Sequence, residues 1–133
     1  MKILLVDDHA LFLQALKMLL TANSYDVVGT AADGLEALKQ ARLLLPELIL
    51  MDIEMPGCDG LAATRLIKAE LPQIKVVMLT VSSRDEYLFE AVKSGASGYL
   101  VKSQPAERFL ELLAQVEQGG GGATGGTGRP GAR

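Results

Sequence analysis

Four consecutive apolar residues, Leu48-Ile49-Leu50-Met51, stop at a carboxylate, Asp52. A run this short is strand-like, and with nothing polar in the alternation both of its faces must be covered. A central strand of a parallel sheet, layered by helices on both sides, meets that requirement. Such sheets collect their working residues at the carboxyl ends of the strands, and Asp52 sits at that end. The segment that follows, Ile53-Glu54-Met55-Pro56-Gly57-Cys58-Asp59-Gly60, carries Pro-Gly and Asp-Gly turn signals. It reads as a surface loop running into a helix cap.

The rest of the chain supplies the layers. Lys2–Val6 is another short apolar run and leads directly into Asp7-Asp8-His9. The helix after it is expected to face the core with Phe12, Ala15, Leu16 and Leu19, at i, i+3, i+4, i+7 spacing. That assignment leaves Leu13 and Leu20 on the solvent side with Gln14, Lys17 and Thr21. Residues 25–31 read as a strand, and Asp33-Gly34-Leu35-Glu36 as a capping box opening a helix that Pro46 stops near Leu45. Asp59 is a suitable N-cap for a helix turning Ala63, Leu66, Ile67 and Leu71 inward until Pro72. Residues 74–79 form a fourth strand ending at Thr80. A helix from about Arg84 to Ser94, with Leu88, Ala91 and Val92 inward, is terminated by Gly95. Gly98–Val101 is the last strand and ends at Lys102; Pro105 then lies near the start of a helix buried through Phe109, Leu112, Leu113 and Val116. Five strands alternating with five helices through short connections predict an α/β, doubly wound parallel sheet with right-handed crossovers.

Composition narrows the function classes. A chain of 133 residues, 49% hydrophobic, suits one domain with a single core. Its net charge is −3 and no basic stripe is present, so direct binding of nucleic acid by this segment is not expected. Cys58 is the sole cysteine and His9 the sole histidine, which excludes an internal disulfide and any Cys/His zinc cluster. The apolar start, Met1 to Val6, is too short for a signal peptide core or a membrane span, and a soluble cytoplasmic protein is expected. From Gly119 onward eight of fifteen residues are glycine and none is a large apolar residue. Residues 1–118 are therefore expected to form the domain, and residues 119–133 a flexible linker or an added remnant.

Strand ends alone bring together Asp7 and Asp8 from the first strand, Asp52 from the third, Thr80 from the fourth and Lys102 from the fifth. Each has a plain reading. The acid pair serves equally well as a helix cap, Thr80 is an ordinary strand residue, and lysines mostly reach for solvent. The fold, however, delivers all five to one rim. Carboxylates ~5 Å apart repel by roughly 3 kcal/mol per pair at an effective dielectric near 20. Lys102 offsets part of this, and a hard divalent cation with oxygen ligands, Mg²⁺, offsets more. A carboxylate beside Mg²⁺, a hydroxyl and an ammonium is suited to accept a phosphoryl group, with Asp52 as the nucleophile. His9, beside the acids, is expected to be a plain polar residue at a helix start, and Cys58 to be incidental.

These motifs, Asp7-Asp8, Met51-Asp52-Ile-Glu-Met-Pro-Gly-Cys-Asp-Gly60, Leu79-Thr80 and Gly98-Tyr-Leu-Val-Lys102, resemble those of the receiver domain of bacterial two-component response regulators. The match covers residues 2 to about 118. Asp7-Asp8-His9-Ala-Leu-Phe12 and Gly98-Tyr-Leu-Val-Lys-Ser103 are similar to the subfamily joined to a LuxR-type helix-turn-helix DNA-binding domain. The resemblance implies a flavodoxin-like (βα)5 sheet of order 2-1-3-4-5, an order the chemotaxis relative exemplifies. It implies Asp52 as phosphoacceptor and Asp8 as a direct Mg²⁺ ligand, with Asp7 acting mainly through water and the Glu54 carbonyl as a further ligand. Thr80 and Tyr99 resemble a switch pair, in which the hydroxyl moves toward the phosphoryl group and the ring turns inward. A sensor histidine kinase as donor and a DNA-binding output domain are implied as partners.

Two departures stand out. Ser103 follows Lys102 where many receivers have a proline, which leaves the isomer of that bond open. Val81 is larger than the usual Ala or Gly after the hydroxyl and is expected to slow access to the site. The expected solvent-side leucines, Leu13 and Leu20, suggest an apolar patch for self-association or kinase docking. Against the receiver stand a phosphate-independent pseudo-receiver, disfavoured by the complete set of Asp8, Asp52, Thr80 and Lys102, and a phosphatase of the haloacid dehalogenase type. The latter needs Asp-x-Asp after its first strand, where this chain has adjacent acids.

Overall fold

The computed structural model describes residues 1–55, 57, 59–81 and 85–118, apart from the side chains of residues 85–89. In chain order the elements are β1 (Lys2–Val6), α1 (Ala10–Ala22), β2 (Asp26–Ala31), α2 (Gly34–Leu44) and β3 (Leu48–Asp52). They continue with α3 (Gly60–Glu70), β4 (Lys75–Thr80), α4 (Asp85–Ser94), β5 (Gly98–Val101) and α5 (Ala106–Glu117). The strands form one parallel sheet in the order β2-β1-β3-β4-β5, the flavodoxin-like order expected. No helix among the described residues is long and apolar enough to cross a membrane.

Period-two alternation divides the core into two layers. Ile3, Leu5, Leu48, Leu50, Val77, Leu79 and Leu100 face α1 and α5, whereas Leu4, Val6, Ile49, Met51, Val76 and Met78 face α2, α3 and α4. Every residue of β3 is buried, as a strand covered on both sides requires. The local signals act as their chemistry dictates. Asp33 accepts the Glu36 N–H at 2.8 Å, and the Glu36 carboxylate reaches back to the Ala32 N–H at 2.9 Å, one residue earlier than an ideal capping box. Asp59 caps α3 through the Ala62 N–H at 2.9 Å. Gly95, at φ 98°, ends α4 in the left-handed region.

The inward faces of three helices differ from expectation. In α1, Leu16 and Leu20 are buried and Phe12, Leu13 and Leu19 pack against the same core, while Ala15 is exposed. Leu20 is completely buried and Leu13 half-buried, so the expected docking patch on these two residues does not exist. The apolar residues that α1 does turn outward are Leu11, 84% exposed, and Met18, 68% exposed. The cause is composition: α1 reads ALFLQALKMLLTA and is apolar on nearly every side, so spacing alone could not select the stripe. Leu66 and Val92, expected inside α3 and α4, are likewise exposed, while Ala63, Ile67 and Ala91 are buried as expected. Pro56, Cys58, Ser82, Ser83, Arg84, the Leu88 side chain and residues 119–133 lie outside the described residues, and with them the readings placed there.

Candidate functional site

The alternation that buries Ile3 and Leu5, Leu48 and Leu50, and Leu100 on the α1/α5 side carries on past the strand ends. It assigns Asp7, Asp52 and Lys102 to that same side. Thr80, two residues beyond Met78, belongs by the same count to the opposite side, where Tyr99 packs. Asp7, Asp52 and Thr80 are buried. Backbone bonds fix the rim: the Asp7 N–H donates to the Ala31 carbonyl at 3.0 Å, Ile53 to Leu79 at 2.9 Å and Lys102 to Thr80 at 2.8 Å. Gly60 lies so close behind β3 that a Cβ there would collide with the Asp52 carbonyl oxygen and the Met78 methyl, which explains a glycine at this helix start.

Lys102 crosses the rim with its side chain only 10% exposed. Its Nζ lies 2.6 Å from Asp7 Oδ2 and 3.4 Å from Asp52 Oδ1. Asp7 Oδ1 accepts the His9 N–H at 2.8 Å, and the His9 ring Nδ1 lies 3.2 Å from the same oxygen and 3.5 Å from Asp8 Oδ1. Asp52 Oδ1 also accepts a long bond, 3.4 Å, from the Glu54 N–H. The Lys102 contact to Asp7 Oδ2 is an ion pair outside hydrogen-bond geometry. Both Asp7 Oδ2 and Asp52 Oδ2 are therefore buried without a hydrogen-bond donor among the described residues. Burial, reinforced by the Asp7 charge, pushes the Asp52 carboxyl up to about 6, against the opposing pull of Lys102 and the Glu54 N–H.

Ligand atoms of Asp7, Asp8, His9 and Asp52 lie within 4.8 Å of one another. Carboxylate oxygens suit a hard divalent cation, and the orphaned Asp52 oxygen is the kind of buried acceptor that such an ion satisfies, so the residues present fit Mg²⁺. The structure thus gathers Asp7, Asp8, Asp52 and Lys102, while Thr80 sits buried at the neighbouring strand end and Tyr99 half-buried in the α2/α3/α4 layer. Glu54 is exposed and contributes its backbone to Asp52. The bond between Lys102 and Ser103 is trans. Val81 stands 63% exposed immediately after Thr80.

Two residues were undervalued by sequence reasoning. His9 is the N-cap of α1, the helix-start position expected of it, and its ring also lies within reach of the acid cluster. Phe12 is more than core filling: its ring centroid lies 4.8 Å from the Lys102 ammonium. Nothing in the spacing of α1 signals that contact.

A parallel sheet of this order, with buried carboxylates and an ammonium gathered on its carboxyl rim, fits a phosphoryl-signalling class of protein. The sequence profile of the response regulator receiver domain matches residues 3–114, from the second residue of β1 into the last turns of α5, and the chain belongs to that family. Among its relatives, the oxygen regulatory protein NreC of Staphylococcus aureus is 40% identical over 121 residues, which are 90% of this chain and 56% of that protein. The chain thus spans about half the length of the curated relatives it matches. Similar solved structures include the receiver domain of the response regulator NarL from Mycobacterium tuberculosis. It has a TM-score of 0.81 at 29% identity, over 89% of this chain and 96% of that one. A LuxR-family two-component response regulator from Aurantimonas sp. SI85-9A1 gives 0.84 at 30% identity, over 89% and 85%. The chain is therefore a receiver domain akin to those of LuxR-family regulators, and not a conventional enzyme.

Proposed function

We propose that Asp52 is the phosphoacceptor. One of its carboxylate oxygens bonds to the phosphorus of a phosphohistidine on a sensor histidine kinase, the bond from phosphorus to the histidine nitrogen breaks, and that nitrogen regains its lone pair and takes up a proton. The observation that carries this reading is the buried Asp52 carboxylate, with one oxygen 3.4 Å from Lys102 and the other without a hydrogen-bond donor among the described residues. Asp7, Asp8, Asp52 and the Glu54 carbonyl would hold Mg²⁺, which when bound supplies positive charge against the phosphoryl oxygens. Lys102 neutralises further charge there, and the Thr80 hydroxyl donates to a phosphoryl oxygen. Tyr99 shares the Thr80 side of the sheet, and its ring follows the hydroxyl inward as the second half of the switch.

In this reading residues 1–118 form the receiver and residues 119–133 a linker. The conformational change acts on a LuxR-type helix-turn-helix output domain, and the whole regulator controls transcription in the cytoplasm, with homodimerisation as part of that response. The receiver itself only takes up a phosphoryl group and slowly releases it. Incubation with acetyl phosphate and Mg²⁺ followed by intact mass measurement tests the assignment. One phosphoryl adduct, stable in acid, labile in alkali and absent in Asp52→Asn, is the expected result. Adduct formation that persists in Asp52→Asn, or turnover of many phosphate esters, overturns it.

A further inference from the structure

Lys102 stands in a three-sided enclosure. Asp7 lies 2.6 Å from its ammonium, Asp52 3.4 Å, and the third side is the Phe12 ring, centroid at 4.8 Å. We propose that Phe12 is a positioning residue for Lys102, holding the ammonium toward Asp52 through its ring face. This rests on the assignment of Asp52 as phosphoacceptor only for its consequence on phosphorylation; the contact itself stands apart from it.

A lysine stem has four rotatable bonds and a strongly hydrated head, so fixing it in one pose costs conformational entropy unless its surroundings restrict it. The two carboxylates supply two of those restrictions. Asp7 also attracts the ammonium more closely than Asp52 does, and a third contact is needed to keep the head near both. An aromatic face within about 6 Å supplies attraction by its quadrupole and excludes water from the head, which an aliphatic residue would do only in part. The fold places Phe12 there because α1 and Lys102 share one side of the sheet. Phe12 lies in the first turn of α1, three residues after His9. Beyond the ring opens a groove of about 270 Å³ lined by Leu16, Leu19 and Phe109 along with Phe12 and Lys102 themselves. Side chains thus leave part of Phe12 uncovered, while the rest of it packs against the α1/α5 core.

The test uses the full chain as wild type, Phe12→Leu and Phe12→Tyr, with Lys102→Ala alone and combined with Phe12→Leu. The first readout is the NMR shift of the Lys102 ε protons, which a ring face displaces upfield. The displacement is expected in wild type and Phe12→Tyr and lost in Phe12→Leu. The second is the rate of adduct formation from acetyl phosphate at saturating Mg²⁺. It is expected to fall about fivefold in Phe12→Leu, equivalent to ~1 kcal/mol, and to return to within about twofold of wild type in Phe12→Tyr. In the Lys102→Ala background Phe12→Leu should change nothing further. Ordinary lysine shifts in the wild type overturn the proposal, as does an equal loss of rate in Phe12→Leu and Phe12→Tyr or a full Phe12→Leu effect without Lys102. Should wild type take up no phosphoryl group, the phosphoacceptor assignment falls and the shifts still decide on Phe12. Should Phe12→Leu fail to fold, wild type and Phe12→Tyr still decide on the ring contact.

Discussion

Asp52 is held in a place where its charged form is disfavoured. Its carboxyl lies at about 6 in the folded protein against 3.8 ordinarily, chiefly through burial. Between those two pH values the folded chain keeps a proton that the unfolded chain has released, so metal-free stability falls as pH rises from about 4 to 6. Asp52→Asn should remove that slope and raise stability at neutral pH by on the order of 2 kcal/mol, read from urea unfolding at a series of pH values. Mg²⁺ should flatten the same slope in the wild type. At the rim, Val81→Ala should speed both gain and loss of the phosphoryl group a few-fold in timed mass spectra, because the exposed valine directly follows Thr80 at the strand end. These residues were legible in the sequence because each ends an apolar run, and a parallel sheet aligns such ends. What was not legible was which partner each acid prefers. That Lys102 sits nearer Asp7 than Asp52, and that His9 joins the acids, depends on side-chain distances that strand periodicity does not encode.

Among elements, α1 shows where pattern reading fails. A helix with apolar residues on nearly all sides offers several equivalent stripes, and the choice is made by the sheet and α5, not by the helix. The chosen stripe makes a sharp contrast testable. Leu20→Ala should cost about 2–5 kcal/mol in thermal or urea unfolding, as expected for truncation of a wholly buried leucine. Met18→Ala should stay within about 0.5 kcal/mol. Equal costs at the two positions would contradict the helix orientation. The other elements were easier to read because their punctuation is chemical: Asp33 and Asp59 cap helices through backbone N–H groups, and β3, apolar from Leu48 to Met51, admits no exposed face. For α3 and α4, small residues such as Ala63 and Ala91 occupy the inward positions, so the larger Leu66 and Val92 misled a reading weighted by size.

For the molecule as a whole, two long-range contacts tie the last helix to the sheet's other rim. The Tyr25 hydroxyl donates to Glu117 at 2.9 Å, and Lys75 Nζ reaches the carbonyls of Val116 at 3.2 Å and Glu117 at 3.5 Å. A cation at the carboxyl end of α5 also complements the helix dipole. Burial, aided by the Glu117 carboxylate, pushes the Tyr25 phenol up to about 12 from 10. The folded chain therefore retains that proton where the unfolded one releases it, and stability should decline as pH rises from about 10 to 12. Ultraviolet difference titration should show a late-ionising tyrosine component that disappears in Tyr25→Phe, whose alkaline melting curve loses the corresponding slope. Lys75 and Thr80 are the two ends of β4, six residues that at about 3.3 Å each span roughly 20 Å. One end of this stiff rod abuts the acid cleft; the other grips the place where α5 finishes. The close of α5 thus lies at the antipode of Asp52, and any strain set up at that carboxylate has the body of the sheet to cross before it is felt there.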